Sequence, residues 1–378
     1  MRFRLSLMLA CTGFLAVPIA GEATPQFARK YRVDCSHCHA SPPRLNARGL
    51  RFLEAGYRMD GARPTIPIAV WSTVDVEWRH SADLTKGFPS RVELISSGPI
   101  GRSRAAYFVE WRALSQGIGG DRRLLDRSGR FEDLFVTAPL PGAGRLSVTA
   151  GQFRTLLQVD VSQRLSVSEP LAFSSSVPGE RASTSRLTSL RAFSASGRQP
   201  GARVEYRSGP PSAGGWWTAA ATLPLTGEFT VPFTDAASFE FEGRPKGVFF
   251  EAFHRRGLSS FGGHAFVGNA GRNTATAVVT RDIGGRLALL AAAGTFRSSA
   301  GRDVRLSAGG ELTLSRVVVS GVRIDHQTRQ NRDPAVLFYA NGHLPFGPAE
   351  FRQALRVQVE QRVQPGNHTT TIALSHVF

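Results

Sequence analysis

The residues best suited to chemistry in this chain are Cys35, Cys38 and His39, which form a Cys-Ser-His-Cys-His sequence with His37 between the thiols. A Cys-x-x-Cys-His sequence is the attachment signal for c-type haem. Each thiol can add to one vinyl group of the haem, and the following imidazole is then placed to bind the iron. The sequence therefore predicts one covalent haem c, held by Cys35 and Cys38, with His39 as the proximal axial ligand.

A zinc site is the alternative use of these side chains. Structural zinc takes four thiolate or imidazole ligands, usually as two closely spaced pairs. No second pair at recognisable spacing lies near Cys35 and Cys38 in the sequence, so haem is the favoured interpretation.

The sixth position of the iron has several candidates. Met59 is the only methionine after residue 8, and thioether ligation would raise the reduction potential; Met59 can equally be an apolar residue that ends a helix beside Tyr57. His37 lies inside the attachment loop and is poorly placed to cross the ring. An open position would permit ligand binding or peroxidase chemistry, with His37 as the only local proton carrier. Three later histidines are further candidates: His80, His254 and His264.

A short helix is expected to follow the attachment motif. Ser41 and Pro42 have the residue types of an N-cap and a first helical position, and Gly56 would end the helix. Apolar residues recur between them at helical spacing, at Leu45, Phe52 and Leu53. One short helix cannot bury a haem, so residues 24–64 need a partner surface from the rest of the chain.

Residues 65–378 have the pattern of a β-barrel. Short segments alternate apolar and polar side chains and are separated by Gly, Pro, Ser and Asn. Soluble sandwiches alternate in the same way, but sixteen to eighteen such segments, each with its share of turn, fit an outer-membrane barrel. We predict a mainly β protein with an antiparallel barrel of about 16 strands, or 18 as the alternative. Such a barrel has a lumen wide enough to hold the N-terminal segment.

Two other stretches bear on the barrel. Ile372, Leu374, His376 and Phe378 share one face of the last segment, which resembles the terminal-strand signal of bacterial outer-membrane barrels. Residues 156–185 break the alternation and are too long for a periplasmic turn, so they are expected to form an extracellular loop or a loop folded into the lumen.

The N-terminus predicts export. Arg2 and Arg4 precede an apolar stretch, residues 5–20, and small residues follow it, as in a signal peptide cleaved after residue 20 or 23. The mean hydropathy of −0.13 excludes a bundle of transmembrane helices. A net charge of +17 would make nucleic acid a candidate partner in the cytoplasm, but an exported protein rarely meets it. The expected location is the bacterial outer membrane.

Residues 23–57 also carry a recognisable pattern. It comprises Pro25-x-Phe27-Ala28-Arg29-Lys30, the haem motif, Pro43-x-Leu45-Asn46-x-x-Gly49-x-x-Phe52 and Gly56-Tyr57. The pattern resembles the N-terminal signature of the fused outer-membrane monohaem cytochrome-porins of iron-oxidising bacteria. That resemblance implies electron transfer from extracellular ferrous iron to a periplasmic c-type cytochrome, with iron oxidase activity. It also implies a set of residues that pack the haem segment: Phe27, Pro43, Leu45, Phe52 and Tyr57.

The charge of the predicted lumen suggests another function. The inward candidates include Arg79, Arg112 and Arg356 beside Asp75, Glu77 and Glu110. A basic lumen would repel ferrous ion and favour anions, which suggests an anion-favouring porin with a structural haem segment. The same charges can instead solvate the lumen or contact anionic lipid.

Overall fold

The computed structural model describes most of the chain after residue 24. The described ranges are 25–41, 44–63, 66–79, 85–86, 91–115, 129–140, 145–155, 170–173, 198–209, 215–229, 239–269, 272–298, 301–315, 317–328, 333–347 and 353–377. The predicted signal peptide and its cleavage sites lie outside them. No helix in these ranges is both long enough and apolar enough to cross a membrane.

Eighteen antiparallel strands form one closed sheet. Their bounds are β3 Ile68–Arg79, β4 Thr85–Lys86, β5 Arg91–Pro99, β6 Ala106–Ser115, β7 Arg130–Pro139, β8 Leu146–Arg154, β9 Arg198–Arg207, β10 Trp216–Phe229, β11 Phe239–Pro245, β12 Gly247–Arg256, β13 Ser259–Gly268, β14 Asn273–Ile283, β15 Leu287–Ser298, β16 Gly301–Thr313, β17 Val318–Gln327, β18 Ala335–Phe346, β19 Gln353–Gln364 and β20 Asn367–Val377.

Sixteen of these strands make the wall of the barrel. β4 and β11 only extend neighbouring hairpins, because β3 pairs directly with β5 and β10 pairs directly with β12. The wall closes where β20 pairs with β3, from Thr369 opposite Arg79 to Val377 opposite Trp71. The prediction of a mainly β protein with a 16-stranded barrel is therefore confirmed.

Alternation along the strands divides the wall into an inner and an outer face. Residues on one side of the wall are buried, and we call that side the inner face. The wall is a single layer, so the residues on its other side, the outer face, are not covered by any other part of the described chain. On β17, Arg323 and Asp325 are buried, whereas Val322 and Ile324 are exposed. The predicted alternation on β19 follows the same rule, with Gln358 and Glu360 buried. An apolar outer face and a charged inner face are the pattern expected of a barrel surrounded by lipid.

The residues before the wall form two helices and a small hairpin. Helix α1 spans Pro25–Tyr31, a 3₁₀ turn spans Cys35–His37, strands β1 His39–Ser41 and β2 Arg44–Leu45 pair, and helix α2 spans Ala47–Glu54. The predicted N-cap was wrong. Ser41 ends a strand, and the cap of α2 is Asn46, whose side chain accepts from the amides of Arg48 and Gly49. Gly56 ends the helix region as predicted, with a positive φ of 67°.

Part of the predicted loop at residues 156–185 packs on the inner face. A 3₁₀ turn at Leu171–Phe173 buries Ala172 and Phe173 against inner residues of β12 to β15. The Ala172 amide donates to Ser307 Oγ at 3.0 Å, and the Leu171 amide donates to Asp325 Oδ1 at 3.3 Å. This part of the loop is therefore folded into the barrel, and the rest lies outside the described residues.

Candidate functional site

The two cysteines lie on a tight turn and are shielded from solvent. The amide of Cys38 donates to the carbonyl of Cys35 at 3.0 Å, and the amide of His37 donates to that of Asp34 at 2.9 Å. Neither cysteine forms a disulfide, and Cys35 is fully buried and Cys38 nearly so. Burial raises the pKa of the Cys38 thiol, and the charge of Arg48 partly opposes that rise. Both sulfurs are thus present as reduced side chains within one turn of chain.

Asn46 ties the turn to helix α2. Its Oδ1 accepts from the amides of Arg48 and Gly49 at 2.9 and 3.0 Å, while its Nδ2 donates to the carbonyls of Ser36 and His37 at 3.1 and 3.2 Å. Its own amide donates to the Cys38 carbonyl at 2.9 Å. A single amide side chain therefore caps the helix and fixes the orientation of the motif.

The close approach of α2 to the turn requires glycine at position 49. A Cβ at Gly49 would lie 2.1 Å from the Cys38 carbonyl oxygen and 2.8 Å from Leu45 Cδ2. The contact with the carbonyl oxygen is not possible without movement of the backbone, so the lack of a side chain at position 49 lets the helix pack directly on the motif.

An aromatic cluster lies beside the turn. The ring centroids of Phe27 lie 4.9 Å from Phe52 and 5.2 Å from Tyr57, and Tyr31 lies 5.5 Å from Phe52. The Tyr31 hydroxyl donates to the Tyr57 carbonyl at 2.6 Å. Tyr57 is buried, which raises its pKa, and the charge of Asp133 adds to the rise. Phe27, Phe52 and Tyr57 were all named by the resemblance, and the structure brings them together.

The resemblance also names Leu45 and Pro43, and the structure describes only the first of them. Leu45 is half-buried and pairs with His39 across the β1–β2 hairpin, so it lies next to the predicted proximal ligand. Pro43 lies outside the described residues.

Residues 25–63 touch the inner face of the barrel at several strands. The side chain of Gln26 hydrogen-bonds Ser97 of β5 at 2.9 Å. Arg44 forms an ion pair with Glu311 of β16, and the Tyr57 ring lies 6.4 Å from that of Phe108 on β6. These strands lie at different places around the wall, so the segment is held from more than one side.

A barrel histidine that sequence reasoning missed approaches the motif. His343 of β18 is buried, and its Nε2 lies 4.0 Å from the Sγ of Cys35. Its backbone amide donates to the carbonyl of Val317 at 2.8 Å. The alternation of side chains along β18 could have identified His343 as an inner-face residue, because it is in phase with the buried Tyr339 and Asn341.

The other distal ligands predicted in the barrel, where described, pack away from the motif. His254 lies 5.1 Å from Trp217 and from Phe261, on the outer side of β12. His264 is buried, 5.3 Å from Phe249 and 6.4 Å from Phe173. His80 lies outside the described residues.

Two candidates lie within the N-terminal segment itself. Met59 is half-buried, and its backbone hydrogen-bonds the Tyr31 hydroxyl. His37 is half-buried on the attachment turn. Across the described ranges, no group of three or more His, Cys, Asp or Glu side chains is arranged to hold a bare metal ion.

The inner wall beside the segment carries paired charges. Arg112 bonds Glu93 at 2.9 Å, and Arg198 bonds Glu110 at 2.8 Å and Asp133 at 2.9 Å. A register shift between β6 and β7 lies at these acids and places two consecutive carboxylates, Glu132 and Asp133, on the buried side.

Carboxylates are numerous on the described part of the inner wall. Buried acidic side chains there are Glu93, Glu110, Glu132, Asp133, Glu205, Glu251, Asp303, Asp325 and Glu360, and buried cationic ones are Arg112, Arg203, Lys246, Arg305 and Arg323. Arg356 bonds the Asn341 side chain at 2.6 Å. The side chains of Asp75, Glu77 and Arg79 lie outside the description. The predicted basic residues thus share the wall with many acids.

Solved structures similar to this chain include porins. OmpF of Salmonella typhi, in complex with daunomycin, matches with a TM-score of 0.55 at 10% identity over 82% of this chain and 97% of that chain. A mutant porin of Rh. blastica matches with a TM-score of 0.50 at 10% identity over 82% and 99%, and an anion-selective porin of Comamonas acidovorans with 0.49 at 13% over 82% and 99%. No family model and no curated protein matches the chain. The chain therefore has the fold of a porin-like barrel.

Proposed function

We propose that this protein is an outer-membrane c-type cytochrome-porin, a barrel that carries one covalent haem and moves electrons across the outer membrane. The observation that carries the proposal is a Cys-x-x-Cys-His turn whose two thiols are buried, with the Cys35 sulfur 4.0 Å from His343 on the inner face of a porin-like barrel. A haem motif outside the barrel would not contact the inner face of the wall.

The residues present fit a haem. Cys35 and Cys38 would add their S–H bonds across the two vinyl groups with no atom lost, and His39 would bind the iron. A bound haem would supply a one-electron centre that an external donor could reduce and a periplasmic acceptor could reoxidise. Phe27, Phe52 and Tyr57 supply the apolar surface that excludes water from one side, and Asn46 holds the turn.

The contacts with β5, β6, β16 and β18 support a placement of residues 25–63 in the lumen. Such a placement shortens the distance that electrons must cross through a hydrocarbon layer about 30 Å thick. A periplasmic c-type cytochrome at the inner mouth is the proposed acceptor.

The proposed external donor is ferrous iron. The resemblance of residues 23–57 suggests it, because the proteins with that N-terminal pattern take electrons from extracellular ferrous iron. Oxidation of one ferrous ion releases one electron, which balances the reduction of one ferric haem.

The test uses the full chain in outer-membrane fractions and in intact cells, with Cys35→Ala as the variant that loses one attachment point. We expect haem staining and a c-type spectrum that external ferrous iron reduces, with both lost or much reduced in Cys35→Ala. A c-type spectrum that iron leaves oxidised would remove iron as the donor, and a second donor such as a soluble reductant would then test electron transfer itself. Absence of covalent haem would overturn the proposal.

A second candidate is an anion-favouring porin with a structural haem segment. The net charge of +17 and the porin-like fold favour it. Conductance of the purified barrel in a planar bilayer separates the two functions. A large open conductance with an anion-selective reversal potential supports the porin, and a closed barrel that still exchanges electrons supports the cytochrome.

A further inference from the structure

We infer that the barrel wall itself supplies the sixth ligand of the haem, through His343 of β18. The inference rests on the proposed function, because it requires a haem bound at Cys35, Cys38 and His39. It assigns a role to a residue outside residues 23–57, where the sequence resemblance lies.

The first step of the argument is which histidines face inwards. Four histidines lie on the outer face of their strands. They are in phase with exposed apolar residues or out of phase with buried ones: His254, His326, His368 and His376. His376, for example, hydrogen-bonds Gln353 at 2.8 Å next to the buried Ser375. Among the described barrel histidines, only His264 and His343 are buried on the inner face.

The second step is which of these two meets the attachment motif. His264 packs against Phe249 and Phe173, within the cluster that the Leu171–Phe173 turn covers. His343 instead has its Nε2 4.0 Å from Cys35 Sγ. An imidazole in contact with an attachment sulfur borders the volume that the porphyrin would occupy. His343 is therefore the inner-face histidine suited to contact the haem.

The third step is that the strand holds this imidazole in place. β18 pairs with β17 on one side and β19 on the other, and His343 lies opposite Arg356. A backbone fixed from both sides gives the side chain a defined position, which ligation of a metal centre requires. His39 and His343 would then form a bis-imidazole pair, and this pair gives a lower potential than the Met/His ligation expected with Met59.

The experiment measures the ferric and ferrous spectra of full-length protein in detergent, together with its midpoint potential. The variants are His343→Ala, His343→Met, Met59→Leu and, as matched control, His264→Ala, which removes the other inner-face histidine. Each variant is first checked for a folded barrel by its heat-modifiable migration and for covalent haem by staining.

The expected result is specific to ligation. His343→Ala converts low-spin ferric haem to high-spin, and added imidazole restores the low-spin spectrum; His343→Met gives the charge-transfer band of thioether ligation and a higher potential. His264→Ala keeps the wild-type spectrum. An unchanged low-spin spectrum in both His343 variants would overturn the inference, and its loss in Met59→Leu would assign the ligand to Met59. Covalent haem in every variant leaves the proposed function standing whichever outcome occurs.

Discussion

Asn46 allows the sharpest test of how the haem motif is held. Its side chain makes two bonds that cap α2 and two that hold the carbonyls of Ser36 and His37. Loss of an Asn cap costs about 1 kcal/mol, and each neutral hydrogen bond contributes about 0.5 to 1 kcal/mol at a half-buried site. Asn46→Ala should therefore destabilise the segment by about 2 to 3 kcal/mol.

The assay is amide hydrogen exchange of residues 44–56 in the refolded barrel. Because every 1.4 kcal/mol is a tenfold change in an equilibrium constant, Asn46→Ala should accelerate exchange from the locally open state roughly 30- to 140-fold. Asn46→Ser keeps a hydroxyl that can cap the helix and loses only the two bonds to the motif, so its exchange should accelerate roughly 5- to 30-fold.

The control is Asn269→Ala, since Asn269 donates to the Pro245 carbonyl at 2.8 Å on the barrel, away from α2. It should leave exchange of residues 44–56 unchanged. Exchange in Asn46→Ala within threefold of the wild type would refute the reasoning. Equal exchange in Asn46→Ser and Asn46→Ala would show that capping contributes nothing.

Three further outcomes are expected. Arg203→Met removes the cation that Glu205 and Glu251 share and should lower the free energy of unfolding by about 3 to 5 kcal/mol. The urea midpoint of unfolding in vesicles should fall in this variant, whereas it should not change in Arg302→Met, where the arginine is exposed. Gly151→Ala places a Cβ 2.2 Å from a carbonyl oxygen of the adjacent strand at a φ of +128° and should reduce refolding yield, whereas Gly209→Ala, with open space around it, should refold normally. The pKa of Tyr57 is raised in the folded segment, so its contribution to stability is complete below about pH 10 and decreases as the pH rises further; Tyr57→Phe should abolish this alkaline loss, measured by exchange against pH.

The barrel was predictable because its signal is repeated in every strand. A period of two in one segment is compatible with many folds, but its recurrence along more than 300 residues leaves few architectures. Arg356 of β19 was predicted to face inwards, and Gln358 and Glu360, which share its phase, are buried.

The N-terminal segment was less predictable because tertiary contacts decide it. Ser41 and Pro42 have the residue types of a helix start, yet Asn46 is the cap because its amide also bonds the motif. Helix α1 has only seven residues, too few for a helical period to be recognised, although Pro25 begins it and Arg29 and Lys30 lie in its last turn.

The proposed distal ligand could not be identified from the sequence for a different reason. Alternation along β18 can place His343 on the inner face, since Tyr339 and Asn341 share its phase. Which inner-face histidine lies next to Cys35 depends on how sixteen strands close and where the segment rests. That information is spread over the whole chain, so spacing within any one motif cannot supply it.

The pairing of β20 with β3 sets an order of assembly. Thr73 of the first wall strand meets Ser375 of the last, with their hydroxyls 3.2 Å apart, so the barrel can close only after the C-terminal residues are available to pair. Residues 25–63 lead directly into that seam. With the proposed placement in the lumen, haem would have to be attached to the unfolded chain in the periplasm, before the last seam forms. A cell that cannot supply haem in time would then insert an empty barrel, with no later opportunity to load it.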